Sequence, residues 1–306
     1  MCETLFSEGD KMTFKTQSEA FMSEIASRKS DPVRTNTLHV YRSLLEARIL
    51  PFLGKEDMVN VNNRTVKALV AHLTEGGLSP ATITLAVSLV KQVVKSAVDE
   101  NGDQLYPRTW NSRFIDAPRL DPASQKAPTC PIPAIRAGLD TTSGEVRVLV
   151  ALLAGTGLRI NECLALTRED WDAAASTLKV HSTMVRGKLQ GETKTKAGTR
   201  VVDLNPALNQ LLHSLFANRE SWTDDRLFLT GERTLRRRIA ELGIPGFHSL
   251  RRFRITHLQS QNVPTTLTKF WAGHASGDMT ERYTKMGAQI EERKTWSEKA
   301  GLGFTL

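Results

Sequence analysis

The chain has 306 residues, 40% hydrophobic and 24% charged, with 41 Lys+Arg against 33 Asp+Glu and a formal net charge of +8. That length supports two domains, each with its own core, and the composition excludes wholesale disorder. Cysteines at 2, 130 and 163 lack CxxC or Cys/His ligand spacing, which excludes a disulfide framework and an obvious zinc site.

Residues 1–12 read as a short lead with acids at Glu3, Glu8 and Asp10, not as an apolar secretory signal. Helical periodicity then begins. Phe14, Phe21, Met22 and Ile25 share one face, and Ser30-Asp31-Pro32 breaks the helix. A second helix is predicted over Thr37–Leu50, ended by Pro51 and Gly54. A third carries Val66, Leu69, Val70 and Leu73 and stops at Gly76-Gly77. Ser79-Pro80 opens a fourth, Ser as N-cap and Pro at the first helical position, which runs through Ile83, Val87, Val90, Val94 and Val98. Only about a dozen residues precede the first helix, too few for a folded domain, which needs roughly 40; no separate folded domain is expected ahead of it.

Six of the 12 prolines lie between 107 and 133 and predict a stiff linker, with the domain boundary near 120–130. Beyond it, helices are expected at roughly 134–154 and 159–167. Short strands follow at Thr177–Val180, Ser182–Val185 and Arg200–Leu204, with a Gly/Lys turn over Arg186–Gly198. Helices resume over Pro206–Ala217, Thr234–Leu242, Ser249–Gln261 and Thr265–Trp271, with a helical tail from Met279. The fold class is mostly α: a helical N-terminal domain, then an α+β domain with a small antiparallel sheet. No apolar run reaches the roughly 18 residues of a membrane span, so a cytoplasmic protein without membrane contact is expected.

Charge is unevenly shared. Residues 1–128 hold 16 basic and 15 acidic side chains, and residues 129–306 hold 25 and 18. A basic second half suits a polyanionic partner, because Lys and Arg that neutralise phosphates release counterions.

Common enzyme motifs fail. Gly155-Thr156-Gly157 has Ile160 where a dinucleotide fingerprint needs its third glycine, and GxxxxGK[ST], HExxH and GxSxG are missing. What remains is an ordered set of bases and one tyrosine. Thr156-Gly157-Leu158-Arg159-Ile160-Asn161-Glu162 places an Arg at a helix start. His248-Ser249-Leu250-Arg251 sets two bases at i, i+3 on one helical face. Gly273-His274 follows, and Tyr283, one of three tyrosines, lies nine residues after His274. Singly, each has a bland alternative: Arg159 pairing with Glu162, a solvated basic face, a packed tyrosine.

Together these motifs resemble the tyrosine recombinase family of phage-type integrases and Xer-type recombinases. Residues 1–110, with Ile49-Leu50-Pro51-Phe52-Leu53-Gly54 and Gly77-Leu78-Ser79, resemble its core-binding domain. The resemblance implies a lead over 1–12, a DNA-binding core-binding domain over 13–110, a linker over 111–130, a catalytic domain over 131–283, and a tail over 284–306 exchanged between subunits. It implies a site-specific recombinase whose partners are double-stranded DNA, its own copies as a DNA-bound tetramer, and accessory DNA-bending or directionality proteins.

The implied catalytic set is Arg159, Lys194, His248, Arg251, His274 and Tyr283. Lys194 aligns with the family's turn lysine; Lys196 competes with it and Lys188 more weakly. Arg252 stands where many relatives have His, and Asp203 where many have Pro, neither at a catalytic position. Arg159 and Arg251 would clamp the scissile phosphate and stabilise transition-state charge without a metal. Tyr283 would attack it, His248 would handle the tyrosine proton, Lys194 would protonate the 5′-oxygen, and His274 would bond the phosphate or nucleophile. The resemblance implies a 3′-phosphotyrosyl intermediate that stores the bond energy, with no cofactor, metal or ATP. Glu162 is expected to support Arg159 or its helix, and the run Arg233, Arg236, Arg237, Arg238 either to meet DNA phosphates or to form a solvated basic face. A type IB topoisomerase and an inert DNA-binding protein of the same fold are the alternatives.

Overall fold

The computed structural model describes residues 12–30, 32–119, 121, 128–190, 199–217, 225–274 and 286–306. It divides into two compact units, Met1–Gln125 and Lys126–Leu306.

The first unit is helical. Helix α1 (Phe14–Ser27) buries Phe14, Phe21, Met22 and Ile25, the face its periodicity predicts. Helix α2 (Thr35–Leu44) does not stop at Pro51 as expected. It passes through a π-turn, Leu45–Ile49, into α3 (Leu50–Leu53), where Pro51 sits in the first turn. Proline has no N–H to donate four residues back. The chain widens its register just before it, the Leu50 N–H donating to the Leu45 carbonyl.

Helix α4 (Asn63–Glu75) is capped by the Asn62 side chain. Helix α5 (Pro80–Lys95) is capped by Ser79, whose hydroxyl accepts from Thr82 N–H. It ends earlier than predicted: Val98 is exposed and forms an isolated bridge with Gln104.

The Pro-rich stretch is also less of a linker than expected. Helix α6 (Ser112–Ile115) buries Ile115 in the first core, and Tyr106, Trp110 and Ala117 pack on it. Arg108 donates to the carbonyls of Val59 and Val61 at 2.7 and 3.1 Å, fastening this stretch to the unit.

In the second unit the predicted 134–154 helix is two: α7 (Ile132–Thr141) and α8 (Gly144–Thr156). Pro131 and Pro133 begin α7. From Val148 to Thr156 helix α8 is buried on every side, packed by helices that follow. Next come α9 (Ile160–Cys163), β1 (Trp171–Asp172), β2 (Thr177–Val180), β3 (Thr183–Val185), β4 (Lys188–Gln190) and β5 (Arg200–Asp203). The order β1-β2-β5 makes an antiparallel sheet, with Leu178 opposite Val202 and Val180 opposite Arg200.

Strands β3 and β4 form a separate hairpin. Part of the expected Gly/Lys turn is therefore strand, and Lys188 lies exposed on it. Lys194 and Lys196 lie outside the described residues.

Helices α10 (Pro206–Ala217), α11 (Glu232–Glu241), α12 (Phe247–Ser260) and α13 (Thr265–Ala272) follow, then a 3₁₀ turn and α14 (Ile290–Ala300). The tail folds onto its own unit: Ala300, Leu302 and Phe304 join the core of α8 and α12. Arg254 donates to Gly301 O at 2.6 Å, and His257 Nε2 meets Ala300 O at 2.9 Å.

Candidate active site

The site forms where the ends of α8 and α13 meet the start of α12. Helix α8 ends at Gly157, which is left-handed at φ +76, and the turn delivers Arg159 as N-cap of α9. Glu162, one turn on, accepts from the Arg159 backbone N–H at 2.9 Å and from its Nη1 at 2.8 Å. The expected support of Arg159 by Glu162 is thus present. The carboxylate is buried while Arg159 keeps 44% of its side chain exposed. Burial raises the Glu162 pKa, but hydrogen bonds and charge from Arg200 and Arg159 outweigh it and hold the group below the usual carboxylate range.

Helix α13 ends in a left-handed Gly273, φ +63, with His274 N–H donating to Lys269 O at 3.1 Å. This is a glycine-terminated helix end. The carbonyls of its last two residues and of Gly273 each accept from a different arginine. Trp271 O takes Arg200 Nε at 2.8 Å, Ala272 O takes Arg251 Nη2 at 2.6 Å, and Gly273 O takes Arg159 Nη2 at 3.2 Å. A helix C-terminus concentrates partial negative charge, which is why guanidiniums gather there. Arg251 also donates Nη1 to Gly157 O at 2.7 Å, so it ties both glycine turns together.

The arginines predicted as a pair do converge, but differently exposed. Arg251 is 2% exposed and Arg159 faces solvent. His248 and Arg251 lie one turn apart on α12, the histidine outward and the arginine inward. Burial, then the charge of Arg159, pulls Arg251 down to about 10, with Glu162 opposing.

His248 and His274 are both exposed, and both have lowered pKa values. Burial is the largest cause for each; Arg252, Arg251 and Arg159 add to it at His248, and Arg251, Arg159, Arg200 and Lys269 at His274. Two histidines that feel the same guanidiniums share one electrostatic site. Tyr283 lies outside the described residues. The Arg233–Arg238 run is exposed on α11, where Arg236, Arg237 and Arg238 pair with Glu232 or Glu241.

Sequence reasoning missed the burial of three charges beside the site, Arg200, Asp203 and Arg293. Arg200 holds Glu162 from below, Nη2 to Oε2 at 2.9 Å and Nη1 to Oε1 at 3.3 Å. Asp203, three residues on, takes Arg293 Nε from α14 at 2.8 Å and the Trp271 indole N–H at 2.7 Å. The departure from Pro at 203 is thus a buried anchor for the tail. The one available signal was charge at both ends of a strand, Arg200-Val201-Val202-Asp203. Cys130 and Cys163 are buried, which raises both thiols and leaves them poor nucleophiles.

Residues 132–289 match the family model for the phage integrase family. The chain is 25% identical to an integrase of Mycobacterium phage FRAT1 over 299 residues, 87% of this chain and 84% of the relative. It is 30% identical to the tyrosine recombinase XerC of Rhodospirillum centenum over 159 residues, 47% of this chain and 43% of the relative.

Among solved structures, the Tn1549 transposon integrase in complex with transposon right-end DNA is similar in fold, with a TM-score of 0.66 at 19% identity over 93% of this chain and 94% of that one. A lambda integrase dimer bound to a COC′ core site gives 0.62 at 15% over 92% and 77%. With its arginine-capped corner and a family match over just more than half its length, the chain belongs to the phage integrase family, the tyrosine-type site-specific recombinases.

Proposed function

We propose that this chain cuts and rejoins duplex DNA at specific sites through a 3′-phosphotyrosyl intermediate on Tyr283, without metal or ATP. The observation that carries the reading is the convergence of Arg159 and Arg251 on adjacent carbonyls at one corner, with the charge of both felt at His248 and His274.

A phosphodiester gathers negative charge on its oxygens as it is attacked, and fixed guanidiniums stabilise that charge. Arg159 meets the phosphate from solvent. Arg251, beneath it, adds charge and holds both turns, using two of its five N–H donors. A pKa near 10 leaves Arg251 cationic at neutral pH, and an anion beside it relieves its repulsion with Arg159.

The tyrosine phenol, near 10 unperturbed, needs a cationic pocket and a base. His248, its pKa lowered by burial and three arginines, is placed to take that proton. His274 bonds the phosphate, and Lys194 protonates the leaving 5′-oxygen. The phosphotyrosyl bond keeps the energy of the broken linkage, so religation needs none from elsewhere. Two copies on each site and four on a synapsed pair carry out exchange, with tails passing between neighbours. Accessory DNA-bending or directionality proteins assist.

The test is covalent capture from a pool of nicked random-sequence duplexes. Wild type should yield adducts that converge on one core sequence, 3′-linked with a free 5′-hydroxyl, in EDTA. Tyr283→Phe should bind that sequence and give none. Adducts from the Phe variant would overturn the nucleophile, and loss in EDTA the metal-free chemistry. Relaxation of supercoils without strand exchange would make the protein a topoisomerase, and binding without any adduct an inert one.

A further inference from the structure

One deeply buried charge at the site has no part in the chemistry above. Arg200 leaves the sheet edge on β5 with its side chain 1% exposed, packed beneath Glu162 and the Gly273 turn and turned away from solvent. A guanidinium so removed from water persists only where its donors are met and its charge is offset. Arg200 meets both conditions, and two of its partners belong to different arms of the site. It grips Glu162 with Nη1 and Nη2, and Trp271 O with Nε. It also lies directly under the second turn: a Cβ on Gly273 would stand 2.7 Å from Arg200 Cζ and Nη1.

We propose that Arg200 is a positioning residue for strand cleavage. Its one buried guanidinium offsets the charge of Glu162 and braces the Gly273–His274 turn, so that Arg159 stays aimed and uncompensated for the phosphate. The proposal rests on the reading of Arg159 as the phosphate clamp.

The physical case is a count of charges at one corner. Glu162 touches Arg159 at both its backbone N–H and its guanidinium. A carboxylate paired only with Arg159 would orient the clamp and neutralise it in the same act. Arg200 removes that conflict by supplying a second cation on the buried side of Glu162. The cluster of Arg159, Arg200, Arg251 and Glu162 then carries three formal positive charges against one negative.

The fork geometry matters too. One planar guanidinium spans a carboxylate and a carbonyl at right reach, which a lysine ammonium cannot do. Gly273 completes the fit, because only a residue without Cβ leaves room for Arg200 beneath a left-handed turn.

The test compares wild type, Arg200→Lys, Arg200→Gln, and Arg200→Gln combined with Glu162→Gln. The probe is the duplex that the wild type selects by covalent capture. Single-turnover cleavage, duplex Kd and melting temperature are read for each. Arg200→Gln should slow cleavage about 100-fold or more, the scale of a lost electrostatic donor, while Kd moves by less than about threefold, a split that marks a transition-state effect.

Adding Glu162→Gln should return about tenfold of the rate or more, because no uncompensated carboxylate is left to neutralise Arg159; a general loss of stability gives no such coupling. Arg200→Lys should fall between wild type and Arg200→Gln. If Arg200→Gln does not fold, Arg200→Lys and the double variant carry the comparison, with the double variant predicted to fold and to cleave.

Cleavage by Arg200→Gln within about threefold of wild type overturns the proposal alone, and so does a double variant slower than a folded Arg200→Gln. A wild type that forms no adduct with any duplex overturns the cleavage reading and this proposal together.

Discussion

The two units bury different things. In the first, α1, α4 and α5 bring together Phe14, Phe21, Leu69, Leu73, Ile83, Leu89 and Val90, all at most 5% exposed, and side-chain oxygens cap the helices at the rim. In the second, an apolar core around α8 adjoins two ion pairs rooted on one short strand, Arg200–Glu162 and Asp203–Arg293, with side chains 1–3% exposed. Apolar burial stabilises without direction, at about 25 cal/mol per Å². A buried ion pair loses hydration on both partners and gains little net stability, but it fixes where its atoms stand. Here the fixed atoms are the turn before α9, the end of α13 and the tail. The unit that carries the candidate chemistry is the one that buries charge.

The largest effect should come from breaking an ion pair on one side only. Asp203→Ala leaves Arg293 buried without its carboxylate, and also strands the Trp271 indole N–H. It should cost about 3–5 kcal/mol, read by denaturant unfolding. Replacing the pair together, Asp203→Leu with Arg293→Met, should come within about 1 kcal/mol of wild type by the same reasoning. A double variant as unstable as Asp203→Ala would show that the pair itself supplies stability and would erase the contrast between units.

The same pair can follow the tail. The charge reversals D203R and R293D should each fail to recombine, and a mixture of the two should recover activity if tails cross between copies. No recovery means the tail keeps to the cis position seen here.

Arg159→Ala sharpens the comparison from the other side. It removes an exposed guanidinium whose carboxylate partner still has Arg200, so melting should change little. Adduct formation should nevertheless fall about 100–1,000-fold, or about 3–4 kcal/mol of transition-state stabilisation. A loss under about tenfold, or about 1.4 kcal/mol, would return Arg159 to a structural role beside Glu162.

This division also governs what could be read from the sequence. Helices α1 and α5 were legible because apolar spacing and the Ser79-Pro80 entry are local signals. Arg159, His248, Arg251 and His274 were legible because each sits in a short ordered motif. Arg200 and Asp203 were not, because burial of a charge depends on partners 38 and 90 residues away. Single-sequence reasoning places charges outside. Pro51 misled for the opposite reason: its local rule held, but a π-turn absorbed it within a continuing helical path. The tail's apolar residues divide in the fold: Leu302 is buried in its own unit, while Ile290 stays exposed.

A smaller effect tests the rim of the first unit. Ser79→Ala removes the oxygen that accepts from Thr82 N–H at 3.3 Å. Pro80 still holds the first helical φ, so α5 should keep its start and lose about 1 kcal/mol. Cleavage should be unchanged. Altered cleavage at constant Kd would mean that the first unit shapes the chemistry as well as holding its own fold.

The smallest effect should be a displacement in pH, not a loss of rate. His248 has its pKa lowered chiefly by burial, and next by the charge of Arg252, whose Nη1 donates to Pro128 O at 3.2 Å. A general base works only in its neutral form, so cleavage should fall as pH drops through the folded pKa of His248. Arg252→Gln removes a cation that disfavours the charged imidazole, and the pKa must then rise. The acid limb of the cleavage profile should move to higher pH, with the plateau rate above it preserved. Bound phosphate acts in the same direction, because an anion favours the imidazolium. The acid limb of the rate at saturating duplex should therefore lie above that at limiting duplex, where the free protein is reported. An Arg252→Gln limb that stays in place, or moves to lower pH, would separate His248 from the proton transfer and leave it as a phosphate contact on an exposed helix start.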